Sequence, residues 1–316
     1  MLRFCLRRLL SLLLTLAAAA VLVFAILEIL PGDPAAAMLG VSATPETVAA
    51  LRVELGLDRP PHVRLLTWLV GLFSGDLGIS YTYRVPISGL IAERITVTFP
   101  LAVMALMLAA SIGIIVGSFA ASRAHTRADA LVMAVSQLGL AVPNFWFGIL
   151  FVLVFAVTLG WLPAGGFPGW GAGAQAAFQA LVLPAFALAL PQAAILARLT
   201  RSAMLEALAE DYIRTARAKG LSRGQALRRH ALRNALTPVM TMLGLQFSYL
   251  LTSTIILENV FALPGIGRLL IQAIGGHDLI LIKNLVLLFV GAAITLSAIV
   301  DIAYGIADPR LRVSRG

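Results

Sequence analysis

Side chains able to ligate a metal or attack a carbonyl are sparse in this sequence. Cys5 stands alone, so no internal disulfide is possible. His62, His125, His230 and His277 lie at no metal-ligand spacing. A zinc or iron site is not expected, and no Ser/His/Asp or Cys/His set stands out as a nucleophile with its base. No G-x-x-x-x-G-K-[S/T] stretch occurs to cradle nucleotide phosphates. The legible chemistry is that of charged faces, concentrated between Arg198 and Asn234. There Leu205, Leu208, Ala209, Tyr212, Ile213 and Ala216 line one face of an expected helix from about Leu205 to Lys219. Glu206, Glu210, Arg214 and Arg217 line the other, acids early and bases late, as the helix dipole favours. Gly220 fits a helix C-terminal cap, and Ser222 with Gln225 forms a capping-box pattern that opens a second helix, before Pro238 marks the next span. Such a pair can lie on anionic lipid through its basic face. It can equally be a rigid knob that docks into a partner. A span-to-span link needs only a few residues, so an ordered insertion of this length tips the balance toward docking.

The surrounding sequence explains why a knob would stand between apolar runs. Of 316 residues, 60% are hydrophobic and 12% charged, with a net charge of +9. A soluble domain would need more polar surface, whereas lipid solvates the outer face of a membrane protein. A nucleic-acid binder of this basicity would carry its bases on a polar face, not between long apolar runs, so no nucleic-acid partner is expected. Six segments are long enough to span a bilayer as helices: Leu9–Leu30, Phe99–Ala121, Ala134–Leu159, Phe178–Ala197, Leu236–Leu257 and Asn284–Ala307. The first run exceeds the usual apolar core of a cleaved signal peptide, which favours an uncleaved anchor. With the N-terminus inside, 17 of the 24 Lys and Arg residues fall on the inner side, placing both termini in the cytoplasm. Pro143, Pro184 and Pro191 lie in predicted spans, read as packing kinks in preference to pore-facing bends. Glu28, Glu258 and Asp301 near span ends are weak site candidates. Gln137, Asn144, Phe145 and Trp146 are candidates to line a pathway, with no face fixed.

This divides the chain into 1–30, a tail and first span; 31–97, an extracytoplasmic segment; and 98–316, a five-helix core with a polar loop at about 198–235. The extracytoplasmic segment carries a helix signature. Thr44 is a possible N-cap before Pro45, with Val48, Leu51 and Leu55 at helical spacing. It reads equally as a small soluble cap or as a landing place for a delivery protein.

At these residues the sequence resembles a known family. The stretch "EDYIRTARAKGLSRGQALRRHALRNALTPV" (Glu210 to Val239) is similar to the signature loop of binding-protein-dependent ABC permeases, in particular the dipeptide/oligopeptide/nickel branch. Gly220 matches the loop's central glycine. Where the wider family has Leu-Pro, this chain reads Leu232-Arg233, as the peptide branch does. "LPGDP" (Leu30 to Pro34), "LGLDRP" (Leu55 to Pro60), "GDLGIS" (Gly75 to Ser80), "ENVFALPGIGRLL" (Glu258 to Leu270) and "DIAYGIADPRLR" (Asp301 to Arg312) match in order along nearly the whole chain. The resemblance implies an all-α integral membrane protein of the ABC type I importer permease kind, in the bacterial cytoplasmic membrane, with six transmembrane helices and a cytoplasmic coupling-helix loop. It implies a related second permease, two cytoplasmic ATPases that hold ATP and Mg, and an extracytoplasmic solute-binding protein. This chain would bind no cofactor and be no enzyme. The loop residues Glu210, Asp211, Tyr212, Arg214, Thr215, Ala216, Arg217, Ala218, Lys219 and Gly220 would couple to an ATPase groove.

A stand-alone channel or secondary transporter would instead put polar or charged groups at mid-span, and an intramembrane enzyme would need a nucleophile–base pair or metal ligands there. The span centres are almost free of charge. A membrane scaffold with no transport role is opposed by the ordered motif set.

Overall fold

The computed structural model describes residues 2–29 and 33–307. Leu30–Gly32 of the first family motif, the closing motif from Asp308, and the tail bases Arg310, Arg312 and Arg315 lie outside them. Regular structure among the described residues is helical apart from one antiparallel bridge, Ile79 to Pro86. Among the described residues, five helices are long and apolar enough to cross a membrane, and a helix pair bent at 142–143 makes up to six if it is one span. The chain divides into two compact units: residues 1–98 with 264–316, and residues 99–263.

The first unit begins with α1 (Leu2–Ile29), α2 (Pro34–Leu39), α3 (Pro45–Glu54) and α4 (Pro61–Ser74). Thr44 caps α3 as its sequence predicts. Its hydroxyl accepts from the Thr47 N–H, and the Thr47 hydroxyl accepts in return from the Thr44 N–H. Leu55 is buried and Val48 and Leu51 are half-buried, so one face of this helix turns inward. The unit also holds the start of α5 (Ile87–Ser122), then α12 (Ile266–Gly275) and α13 (Leu279–Ala307). α1 packs along α13. Ala20 and Val23 of α1 meet Trp68 of α4, with Phe24, Leu65, Leu69, Leu72 and Val286 around them.

Asp278 explains the "GDLGIS" motif. Its buried carboxylate accepts from the Ser80 hydroxyl at 2.6 Å, the Thr82 N–H at 3.1 Å and the Leu281 N–H at 3.1 Å. One side chain thus caps α13 and pins the 75–86 loop to it. Asn284 donates to the Leu77 carbonyl at 2.9 Å and completes the clasp. Beside it, the Tyr81 hydroxyl donates to the Leu55 carbonyl at 3.2 Å. Burial, then the negative charge of Asp278 and Glu54, push that phenol up to about 12, so it stays a neutral donor.

The second unit is built around α8 (Ala174–Ala209), 36 residues and about 54 Å long at 1.5 Å per residue. The helix continues through Pro184 and Pro191. α6 (Arg127–Ala141), α7 (Asn144–Phe151, prolonged as a π-helix to Thr158) and α11 (Leu232–Val260) all pack on α8. The rest of α5 joins them through two glycines. A Cβ on Gly113 would stand 2.5 Å from the Leu196 Cβ, and one on Gly117 would stand 2.4 Å from the Ala197 carbonyl oxygen. Small residues let membrane helices approach this closely.

The third span, read over 134–159 as one helix with a kink at Pro143, is broken outright. α6 and α7 meet at 98°. Pro143 lacks an N–H and its ring pushes Val142 into an extended conformation (φ −94°, ψ 126°), which ends α6. α5 also starts twelve residues before the span read from hydropathy. Its first turns carry Glu93 and Arg94, which apolarity alone does not count.

Candidate functional site

The candidate site is the α8–α11 connection. The helix expected from Leu205 to Lys219 is two helices. α8 runs on to Ala209, so the loop read from Arg198 begins only at Glu210. Glu210 turns extended (φ −70°, ψ 149°), and α9 (Asp211–Ala218) starts in a new direction. Ala209, expected on the apolar face, is exposed, while Met204 and Ala207 take the inward positions on the end of α8.

α9 has a firm stop. The Leu221 N–H donates to the Ala216 carbonyl at 3.3 Å and the Gly220 N–H to the Arg217 carbonyl at 3.0 Å. This is a Schellman turn, and it requires the left-handed backbone that Gly220 adopts at φ +96°. A Cβ there would meet nothing within 4 Å, so the demand on glycine is conformational, not spatial. The second expected cap is present: the Ser222 N–H donates to Gln225 Oε1 at 2.9 Å, and the Gln225 N–H donates to the Ser222 hydroxyl at 3.3 Å. The helix it opens, α10 (Arg223–Ala226), leads through a π-turn (Leu227–Ala231) directly into α11. Pro238 therefore lies inside α11 and does not separate loop from span.

Two contacts hold α9 to the rest of its unit. Ile213 is 2% exposed, an apolar anchor on the inner face. The Tyr212 hydroxyl accepts from Asn234 Nδ2 at 2.6 Å. Beneath them, Ala121, Met204, Leu227 and Ala235 form a small core joining α5, α8, the π-turn and α11. Ala216 is half-buried, and Glu210, Asp211, Arg214, Thr215, Arg217, Ala218, Lys219 and Gly220 are exposed. The Arg214–Asp211 pair at 3.1 Å is solvent-exposed on both sides and holds little energy. The outward face of α9 is therefore a short row of charges of both signs with Thr215 among them.

Sequence reasoning missed the brace behind this knob. Arg201 on α8 donates from Nε and Nη2 to the two oxygens of Asp129 on α6, at 2.6 and 2.7 Å. The same carboxylate accepts from the His125 N–H at 3.0 Å. The two residues are 72 apart in sequence, and nothing local in either segment pointed to a pair. Of the pathway candidates, Gln137 is engaged by Arg198 at 3.0 Å, Trp146 is exposed, and Asn144 and Phe145 are half-buried at the start of α7. Glu258 is fully buried in α11, and Glu28 pairs with Arg64.

Residues 113–313 match the family model "binding-protein-dependent transport system inner membrane component", and residues 1–102 match the N-terminal model of the same membrane components. A putative peptide transport system permease protein of Brucella abortus (strain 2308) is 46% identical over 293 residues, covering 93% of each chain. The glutathione transport system permease protein of Salmonella paratyphi A is 40% identical over 312 residues, covering 99% of each. Among solved structures, the MetNI methionine ABC transporter in inward-facing conformations aligns with a TM-score of 0.56 at 19% identity, over 68% of this chain and 94% of that one. That likeness speaks to fold. Family match, near-full-length relatives and helical fold together place the chain in the binding-protein-dependent transport system inner membrane component family, as a multi-pass inner-membrane permease subunit of an ABC importer.

Proposed function

We propose that this permease moves dipeptides, oligopeptides or similar small solutes such as glutathione-like peptides into the cell, and that α9 is its coupling helix. The peptide and glutathione permeases to which it is similar support the substrate class. The observation that carries the coupling role is the seating of α9: one apolar anchor at Ile213, one hydrogen bond at Tyr212, a Schellman stop at Gly220 and an exposed charged face. Such a knob transmits displacement because it cannot swivel on its stalk.

In this reading both termini and α9 are cytoplasmic, as the excess of bases on that side favours. The pore is completed by a related second permease, a heterodimer. Each permease presents its knob to one of two ATPases, which supply all nucleotide and Mg binding, and an extracytoplasmic solute-binding protein delivers the substrate. This chain binds no cofactor and catalyses no reaction. ATP-driven closure of the ATPases pulls on α9, and the pull biases the spans from inward-open toward outward-open, because the closed dimer binds the two permease states unequally. Glu210, Asp211, Arg214, Thr215, Arg217, Ala218, Lys219 and Gly220 offer the contact face. Ile213, Tyr212 and the half-buried Ala216 hold the helix in place.

The test is Gly220→Pro in the assembled transporter. Proline is confined to φ near −65°, far from +96°, so the Schellman turn is lost while the spans remain. Insertion should persist, and stimulation of ATP hydrolysis by peptide-loaded binding protein should fall to the basal rate. Unchanged peptide uptake would remove α9 from the mechanism.

A further inference from the structure

The first unit contains a cavity of about 260 Å³ at the end of the spans where α1 finishes and α13 begins. Its walls combine apolar side chains, among them Phe24, Leu27 and Trp68, with Arg59, Arg64 and Lys283 against only two carboxylates, Glu28 and Asp76. Asp76 is occupied by the Gly78 N–H at 2.9 Å, and Glu28 by Arg64. Two donors are left over. Among the described residues, Arg64 Nε is buried with no hydrogen-bond partner. The Lys283 ammonium lies 5.0 Å from the Trp68 ring centroid and makes no hydrogen bond or ion pair among the described residues. A buried donor without an acceptor is costly, and such groups are normally satisfied.

We infer that this cavity binds the phosphodiester headgroup of an anionic membrane lipid from the leaflet at that end of the spans. The excess positive charge and the free N–H groups of Arg64 and Lys283 suit a phosphate oxygen. The apolar walls suit the carbons that follow it. The volume is below the roughly 300–1,000 Å³ usual for whole small-molecule ligands and suits a headgroup alone. Glu28 and Lys283 stand at the ends of two spans, the depth at which headgroups lie. α4 provides an independent reason. One face packs on α1 through Leu65, Trp68, Leu69 and Leu72. The opposite face is a stripe of Leu66, Val70 and Phe73, 60%, 66% and 90% exposed. A helix apolar on both faces calls for an apolar solvent on the outer one, which brings acyl chains beside the cavity.

The experiment uses the assembled transporter in phosphatidylcholine nanodiscs containing a minority of phosphatidylglycerol, with retained lipid counted by native mass spectrometry after extraction. Wild type should retain phosphatidylglycerol in preference to phosphatidylcholine. Lys283→Gln should lower that retention about fivefold, the effect of one cation beside an anionic headgroup, and Lys283→Arg should restore it. Glu28→Gln removes a competing carboxylate and should raise retention, a gain that structural damage would not produce. Equal retention in wild type and Lys283→Gln, or a loss in Glu28→Gln, overturns the site. Displacement of the lipid by millimolar inorganic phosphate overturns the lipid assignment in favour of a free anion.

Discussion

α1 and α8 both cross the membrane, and they do so in opposite surroundings. The most apolar window of α1 is 11% buried within the protein, and that of α8 is 72% buried. The Leu-rich helix is the outlying one: Leu9, Leu10, Leu13 and Leu14 are all exposed. The helix interrupted by two prolines and dense in alanine is the centre of its unit, with Ala185, Ala187, Ala189, Ala193 and Ala197 buried. In lipid, apolarity does not mark the interior, because the solvent is as apolar as leucine. Smallness does, because helices are held by close packing. The Asp129–Arg201 brace and α9 both adjoin α8, so the proposed coupling would run through the part of the molecule packed through small residues.

Enlarging a small residue on the α8 side should therefore do the greatest damage. Gly117→Leu drives a side chain toward the Ala197 carbonyl oxygen and the Thr200 Cβ, which a Cβ alone would already approach to 2.4 and 2.7 Å. The expected loss is about 3 kcal/mol or more, read as a fall in the thermal midpoint of the detergent-solubilised chain. A midpoint within a degree of wild type would show that α5 and α8 are not held by this contact. Next comes the brace. Asp129→Ala leaves the largely buried Arg201 without its partner. It should cost about 2–3 kcal/mol, less than for a fully buried pair because Arg201 is partly solvated. Asp129→Ala with Arg201→Leu should recover much of the loss, and a double-mutant cycle showing no coupling would reduce the pair to two independent surface charges. At the small end is α1: Leu13→Ala, on a lipid-facing position, should change stability by less than about 0.5 kcal/mol. A loss of several kcal/mol would mean that α1 has a protein partner along that face.

Much of the site was legible because its signals are local. The Gly220 stop, the Ser222–Gln225 box and the Thr44–Pro45 helix start depend on residues a few positions apart, and each stands where local chemistry puts it. The break at Glu210 escaped because amphipathic periodicity runs through it: Met204, Ala207 and Ile213 all face inward, although the chain changes direction between them. A pattern of spacing reports which face is apolar, not whether the axis is straight. The same limit hid the 98° bend, although Pro143 marked where it falls.

By itself, the sequence determined that the chain spans a membrane several times, where its apolar runs lie though not how far the helices extend past them, and that its ordered polar loop belongs to an importer permease. Those follow from composition, short-range caps and motif order. Only the tertiary structure decided which span is central, that Asp129 meets Arg201, that Asp278 clasps the 75–86 loop, and that Arg64 and Lys283 share one cavity with donors to spare. Each of those pairs residues far apart in the chain, and a single sequence carries no record of which distant side chains its folded backbone brings within hydrogen-bonding distance.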